Sequence, residues 1–396
     1  MKIGIDIRTL MDKNYSGVSE YTLNLVREIL KKDCENEYIL FYNSFRNVDD
    51  RIPRFEGNYK IVKTRYPNKL FNFILQMIFK YPKLDKMLGV EVFLAPNIGF
   101  YALSKNCKKI LTIHDLAFMR YPEFFSWKRR LWHRLVNAKK LIKQFDKIIA
   151  VSENTKMDVV ELSGISEDKV KIIYSGVDSH SQIFNFQFSI FNKFQNQNDK
   201  FRNGGVDSVR KKYNLPDKYI LYLGTVEPRK NIVGLIKAYN LYRSHLSTVN
   251  CQKLVVAGAW GWKTGDIRRE WQASPYKNDI KFLDYIDKTD KYVVYYLSEI
   301  FVFPSFYEGF GLPVLEAMSV GVPVITSFVS SLPEVAGESA IMVDPNNIYD
   351  LAEAIKLVAL NQDLRDNLIR QGCEQVKKFS WEKTAQEYLK FFYSIR

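Results

Sequence analysis

The chain has 396 residues, 46% hydrophobic and 14% aromatic, which is globular composition and excludes a disordered chain; the length suits two domains better than one core. Lysine and arginine number 58 against 44 acids, a formal net charge of +14. That excess favours anionic partners such as nucleic acid, an acidic membrane surface or a phosphorylated small molecule, while frequent Lys, Asn, Ile, Phe and Tyr also fit a low-GC codon habit.

Cys34, Cys107, Cys251 and Cys373 lie far apart and form no C-x-x-C pair, so no disulfide framework or zinc site is expected, and a reducing compartment fits. The opening MKIGIDIRTL goes straight into a strand pattern with Asp6 and Arg8. It has no signal-peptide apolar core, and no apolar run is long enough to span a bilayer, so the expected location is the cytoplasm.

In chain order, strands are expected at KIGIDIR (2–8), YILFY (38–42), YKIVK (59–63), VFLAP (92–96), KILTIHD (109–115), KIIAVS (147–152) and VKIIYSG (170–176). A second series follows at YILYLG (219–224), KLVVAG (253–258), IKFL (280–283), IFVFPS (300–305), PVIT (323–326) and AIMV (340–343). Continuous apolar strands separated by helical patterns imply parallel sheets covered on both faces. Two such series imply an α/β chain of two doubly wound, Rossmann-like domains facing across a cleft. The expected boundaries are an N-terminal domain over 1–179, an Asn/Gln/Phe-rich linker or insertion over 180–206, and a C-terminal domain over 207–380. Helices are expected at 348–361, 363–378 and 381–395, the last packing back on the N-terminal domain. In open parallel sheets, ligands bind beyond the carboxyl ends of the strands, which points to Gly17, His114, Ser152, Arg229, Lys230 and Glu308.

At YLGTVEPRKN (222–231) a strand gives way to Arg229 and Lys230, with Asn231 as the expected N-cap of the next helix. A forked guanidinium, a mobile ammonium and a helix N-terminus together can grip a diphosphate; the plain alternative is a solvated basic loop. Gly17, in YSGVSEYTLNLVREIL (15–30), stands between a strand and an amphipathic helix, where backbone can approach an anion or sugar closely, or simply turn.

FPSFYEGFGLPVLEAMSVGVPVIT (303–326) places Glu308 before a Gly309-Phe310-Gly311 turn and Glu316 beyond it. Pro313 suits the first helical position, which puts Glu316 in the first turn. Bare amides from Gly309 to Leu312 make a second anion cradle. Ionised carboxylates only accept hydrogen bonds and so suit sugar hydroxyls. The plain alternatives are a turn residue for Glu308 and a helix-dipole partner for Glu316.

This stretch resembles the signature of the retaining, family-4 glycosyltransferases of the GT-B fold, whose hallmark of two glutamates with seven residues between them is met by Glu308 and Glu316. The likeness extends along GIDIRTL, SGVSEYTLNL, LTIHDLAFMRYPEFFS, AVSENTKMDVV, IIYSGVD, YLGTVEPRKN, VVAGAWGW, SSLPEVAGESAIMVDP and FSWEKTAQEYLKFF, in family order; the 180–206 segment departs from it. The resemblance implies that Glu316 binds the donor ribose, Glu308 the transferred sugar, and Arg229 and Lys230 the departing diphosphate, helped by the amides of Gly309, Phe310, Gly311 and Leu312. It places Gly17 near the phosphates and His114 toward the reacting sugar. His114 can equally be a satisfied core histidine, and Asp115 its orienting partner or a turn cap. Ser152, Glu153, Ser330 and Glu334 are further candidates.

No Asp-x-Asp occurs in the sequence. With cations available for the leaving group, no metal and no cofactor are expected. The resemblance also implies a same-face displacement with retained stereochemistry.

TIHDLAF and SSLPEVAG look most like members that use GDP-mannose, with UDP-glucose and UDP-N-acetylglucosamine as alternatives. The expected acceptor is a glycan or lipid-linked saccharide, in cell-surface polysaccharide or lipopolysaccharide synthesis. The basic and aromatic stretches 69–88 and 127–143 suit peripheral contact with an anionic membrane, such as the inner face of the plasma membrane, or a cationic helix with one face in the core. Two other readings stand beside these. One is a storage-sugar synthase of the same fold. The other is a basic nucleic-acid-binding protein, against which the dispersed basic residues and the lack of any nucleic-acid-binding signature argue.

Overall fold

The computed structural model describes residues 1–13, 15–68, 70–177, 203–245 and 251–395. They form two compact units. Unit 1 comprises Met1–Arg120, Trp127–Gly176 and Phe379–Arg396, and unit 2 comprises Tyr121–Ser126 and Val177–Lys378. Most of the 180–206 connection lies outside the described residues; at its end the helix Asn203–Tyr213 begins.

Unit 1 is built on a seven-stranded sheet of β1 (Lys2–Asp6), β2 (Glu37–Asn43), β3 (Tyr59–Thr64), β4 (Val92–Ala95), β5 (Lys108–Ile113), β6 (Lys147–Ala150) and β7 (Val170–Ile172), in the order 3-2-1-4-5-6-7. All pairings are parallel; Ile5 sits opposite Leu40 on one side and Leu94 on the other. Unit 2 carries β8 (Tyr219–Leu223), β9 (Lys253–Ala257), β10 (Ile280–Leu283), β11 (Ile300–Phe303), β12 (Val324–Ser327) and β13 (Ala340–Val343), again parallel, in the order 10-9-8-11-12-13. Each apolar run named from sequence contains a strand; some end up to four residues early at the carboxyl end, as at β5 and β7, and others run one residue longer, as at β2, β3 and β12.

The runs are apolar without alternation because helices cover both faces, and side chains on both sides are buried. Ile3, Ile5, Leu40 and Phe41 in unit 1, and Leu221, Val255, Phe301 and Val302 in unit 2, are fully buried. In both sheets the chain starts in the middle and reverses direction of travel, giving a switch point between β1 and β4 and another between β8 and β11. Loops on either side of such a point part and leave a crevice.

The helix Trp381–Ser394 belongs to unit 1 and packs on the helix Gly17–Lys32. The Tyr388 hydroxyl shares hydrogen bonds of 2.7 Å with both Tyr21 and Thr112. Gly176 is needed where this segment returns, because a Cβ there would lie 2.1 Å from the backbone nitrogen of Trp381. Among the described residues no helix is long and apolar enough to cross a membrane.

Candidate active site

At the switch point of unit 2, Arg229 and Lys230 follow β8 in the short turn Pro228–Lys230, and Glu308 follows β11. Asn231 has a left-handed backbone and caps the helix Ile232–Ser244, its side chain accepting from the Gly234 amide at 3.2 Å. That cap fixes where the turn ends and so where its two cations stand.

The Lys230 ammonium donates to Glu308 Oε1 at 2.5 Å, and Arg229 reaches Glu308 Oε2 at 3.3 Å. Arg229 also donates to the Tyr307 carbonyl at 3.0 Å and, through Nε, to Glu227 Oε1 at 3.1 Å. Lys230, Glu227 and Glu308 are all buried. Burial alone would raise the Glu308 pKa; Lys230 and Arg229 outweigh it and hold the carboxyl below its ordinary value. The group is therefore an ionised carboxylate between two cations. Two positive charges face two negative ones, so the cations are not a bare phosphate grip but are partnered by Glu308 and Glu227.

The turn after Glu308 is pinned by two serines that follow β12. The Ser330 hydroxyl accepts from the Glu308 amide, and the Ser331 hydroxyl reaches the carbonyls of Glu308 and Phe310, each at 2.9 Å. Gly311 has φ +107°, a left-handed conformation that favours glycine, and a Cβ there would press on the end of the Leu332 side chain at 2.8 Å. Gly311 is the N-cap of the helix Leu312–Ser319 and offers no side-chain cap. In the first turn of that helix the Val314 amide bonds the Gly311 carbonyl at 3.0 Å and Pro313, at the second position, has no N–H to offer, which leaves the Leu312 amide without an intrahelical acceptor.

This start corrects the sequence reading of Glu316. Because Gly311 holds the cap, Glu316 is the fifth helical residue, in the second turn, and does not serve the helix dipole from the first. It is instead buried and held by another helix, Lys288–Tyr296: Lys291 donates to Oε1 at 2.7 Å and the Tyr295 hydroxyl to Oε2 at 3.0 Å. Sequence reasoning did not single out Lys291, Tyr295, Ser331 or Glu227. Only Glu227 had a local signal, being two residues before Arg229 in the same loop.

Gly17 and His114 belong to unit 1. Gly17 is the first residue of its helix, capped by the Ser16 hydroxyl, and a Cβ there would meet nothing within 4 Å, so nothing in its own unit demands a glycine. His114 follows β5; its Nε2 lies 2.8 Å from the Pro96 carbonyl, and since a carbonyl only accepts, the proton sits on Nε2 and Nδ1 is the acceptor. Burial pushes its pKa down against the Pro96 carbonyl and Asp115, so the ring is neutral near pH 7. Tyr21 packs edge-on against it at 4.6 Å. Asp115 caps the next turn through the Ala117 amide. Ser152 is the N-cap of the helix Glu153–Ser163, so its hydroxyl and the first-turn Glu153 have structural work there.

The sequence matches the glycosyl transferases group 1 domain over 206–375 and the glycosyltransferase family 4 domain over 15–181. The chain belongs to the family 4 (group 1) glycosyltransferases. It is similar to the O-antigen chain mannosyltransferase B of Escherichia coli, with 29% identity over 94% of each chain. It is also 29% identical to a serotype-specific mannosyltransferase of the same organism over 70% of its own length, which is 32% of that larger protein. Among solved structures it resembles a sucrose-phosphate synthase from Thermosynechococcus elongatus, with a TM-score of 0.74, 19% identity and coverage of 100% and 99% of the two chains. A glycosyltransferase of lipopolysaccharide biosynthesis gives a TM-score of 0.65 at 10% identity, covering 98% of each chain. These likenesses establish the GT-B fold.

Proposed function

We propose that this glycosyltransferase moves mannose from GDP-mannose to a glycan of a cell-surface polysaccharide, with retention of anomeric configuration. One observation carries the reading: Arg229 and Lys230 converge with Glu308 at the switch point of unit 2, beside the start of the helix Leu312–Ser319. The similarity to O-antigen mannosyltransferases over nearly the full length supports mannose.

In this reading the diphosphate takes over the two cations from Glu308, and the freed carboxylate accepts hydrogen bonds from the mannose hydroxyls. Glu316, already fixed by Lys291 and Tyr295, receives the ribose hydroxyls. The bond from C1 to the β-phosphate oxygen breaks, its electron pair leaving on GDP. The acceptor oxygen forms the new bond on the same face and passes its proton to the departing phosphate. Arg229, Lys230 and the amides around Leu312 stabilise the charge that grows on that phosphate, a fixed electrostatic contribution of the kind that dominates many such reactions, and one that calls for no metal. His114, neutral with a free acceptor on Nδ1, is assigned to a hydroxyl of the reacting sugar, and Gly17 to the approach of backbone to the phosphates. Attachment to the inner face of the membrane, through the exposed basic helix Trp127–Val136, belongs to the same proposal and is checked by sedimentation with anionic against neutral vesicles.

The purified chain is incubated with GDP-mannose, UDP-glucose and UDP-N-acetylglucosamine in EDTA, and released nucleotide is measured. GDP release from GDP-mannose, unaffected by EDTA, with an axial product by NMR, is the expected result. UDP release alone, or activity that returns only with Mg²⁺ or Mn²⁺, overturns the reading.

A further inference from the structure

The switch point of unit 1 is occupied by a cavity of about 880 Å³, at the upper end of the range of about 300–1,000 Å³ for small-molecule sites. Its walls are Leu70, Phe73 and Ile74, from the wide π-helix Leu70–Phe79, with Phe100 after β4 and Trp132 and Leu135 from the helix Trp127–Val136. Trp132 packs edge-on against Phe100 at 6.2 Å, closing one side.

The floor is charged, and its ion pair is satisfied internally. Arg8 donates to Asp6 through Nε at 2.9 Å and through a terminal nitrogen at 2.8 Å, and to Asn72 at 2.6 Å. The Tyr101 hydroxyl reaches Asp6 at 3.0 Å. With these two charges paired and hydrogen-bonded to each other, hydrocarbon over them meets no isolated charge, which would otherwise be the main cost of burying it there. The lining also holds Asp12 and Thr9, whose buried Oγ1 has no hydrogen-bond partner among the described residues, so a polar group of the occupant has a place beside the apolar walls.

The rim is unusual for a soluble surface. Leu70, Phe73, Ile74, Trp132 and Leu135 line the cavity and are also more than one-third exposed. They run on into Ile78 and Phe79 of the π-helix and Trp127 and Leu131 of the neighbouring helix, all exposed. In that second helix the positions 127, 131, 132 and 135 share one face, and only Val136 is buried. The exposed Arg129, Arg130 and Arg134 lie off that face, and the exposed Lys128 falls within it, its ammonium 5.6 Å over the Trp127 ring. An apolar patch of this extent marks a binding surface, and its basic border complements an anion.

We propose that this cavity takes the apolar end of a lipid-linked acceptor, a saccharide joined through phosphate to a long hydrocarbon. The chain enters between the π-helix and the helix Trp127–Val136, and the basic border holds the phosphate. The assignment rests on the glycosyltransferase reading above for the word acceptor; the hydrocarbon site itself does not depend on the donor.

The test is binding of dodecyl α-mannoside, below its micelle concentration, against methyl α-mannoside, by calorimetry with the full chain. The expected result is saturable binding of the dodecyl compound, with no detectable binding of the methyl one. Ile74→Asn and Leu135→Asn, both at partly exposed rim positions, should each weaken it by about tenfold or more, a loss of about 1.4 kcal/mol, with the thermal midpoint and GDP release from GDP-mannose unchanged. Equal binding by the variants, equal binding of the methyl compound, or no binding of the dodecyl one overturns the proposal. Intact GDP-mannose use with no dodecyl binding sinks this site alone. Dodecyl binding with no GDP-mannose use sinks the donor reading alone.

Discussion

Between β1 and β4 of unit 1, the charged residues are Asp6 and Arg8, supported by Tyr101 and Asn72 and roofed by hydrocarbon. Between β8 and β11 of unit 2, they are Arg229, Lys230, Glu227 and Glu308, with the amides of a helix start beside them. The two sheets share a strand order around these points, and each places a buried ion pair there. What differs is what surrounds the pair. In unit 1 each charge has neutral hydrogen-bonding partners besides its counter-ion, and the walls are apolar. In unit 2 the Glu308 carboxylate bridges Lys230 and Arg229, and Arg229 is shared further with Glu227 and the Tyr307 carbonyl, so a polyanion standing in place of Glu308 would meet both cations. The same topology therefore yields a finished floor in one unit and an exchangeable counter-ion in the other.

Removing one partner from each pair is the sharpest way to break that comparison. Glu308→Gln leaves Lys230 without its carboxylate and Arg229 with Glu227, and breaking a buried pair in this way costs about 3–5 kcal/mol. Millimolar phosphate or GDP should restore much of the lost stability, because an anion can enter where the carboxylate stood. Asp6→Asn should cost a similar amount in unit 1, with no recovery on adding either anion. Thermal melts with and without phosphate check both; recovery in both variants, or in neither, would remove the distinction.

Next in size is Arg229→Ala. If the guanidinium stabilises charge that develops on the leaving phosphate, kcat should fall by about 10²–10³, as when one preorganised donor to a developing anion is deleted, with a smaller change in the donor KM. A wild-type kcat with raised KM would make Arg229 a ground-state binder only. Smaller still is Lys291→Met. If Glu316 holds the donor ribose, Lys291 acts on the donor only through it, at a part of the donor remote from the broken bond. The donor KM should rise about tenfold while kcat holds within about twofold; a lost kcat at unchanged KM would place Lys291 nearer the chemistry.

Much of this was legible in the sequence, and the reasons are local. Parallel strands buried on both faces must be apolar throughout, so each of the runs from KIGIDIR to AIMV announced itself. Arg229, Lys230 and Glu308, which the structure brings together, stood out because ligands sit at strand ends, and Asn231 because helix caps are read from a single residue. The rest depends on distance along the chain. The partners of Glu316 come from a helix about seven turns of chain earlier, and neither Lys291 nor Tyr295 differs locally from any surface lysine or core tyrosine. The position of Glu316 within its helix turned on whether Gly311 or Leu312 held the cap, which composition does not decide. Asp6 and Arg8 stood in the first strand run, but their closure into a floor needs Asn72 and Tyr101, brought there by β3 and β4. The basic stretch 127–143 divides in the structure: Ala138, Leu141 and Ile142 of its second helix enter the core, while its first helix leaves its apolar face outside.

The mildest expected effect separates the units by pH. His133 stacks on Phe118 at 3.9 Å, and burial, with Arg129 adding to it, pulls its pKa down to about 4 against the opposing pull of Asp115; His114 is also lowered by burial. Both lie in unit 1. A histidine whose folded pKa lies below its unfolded value of about 6.5 takes up its proton more readily when unfolded, so stability falls as pH drops from 6.5 toward 4 and is flat above. Glu308, in unit 2, has a depressed carboxyl pKa, so its contribution is present above about 4.5 and is lost only below that. Acidification should therefore loosen unit 1 first. Hydrogen exchange at pH 7, 5.5 and 4.5 should show protection falling in β4 and β5 before β8 and β11, and His133→Phe should reduce the early loss in unit 1 because a phenylalanine keeps the stack and has no proton to gain. An unchanged slope in that variant would shift the cause to other groups.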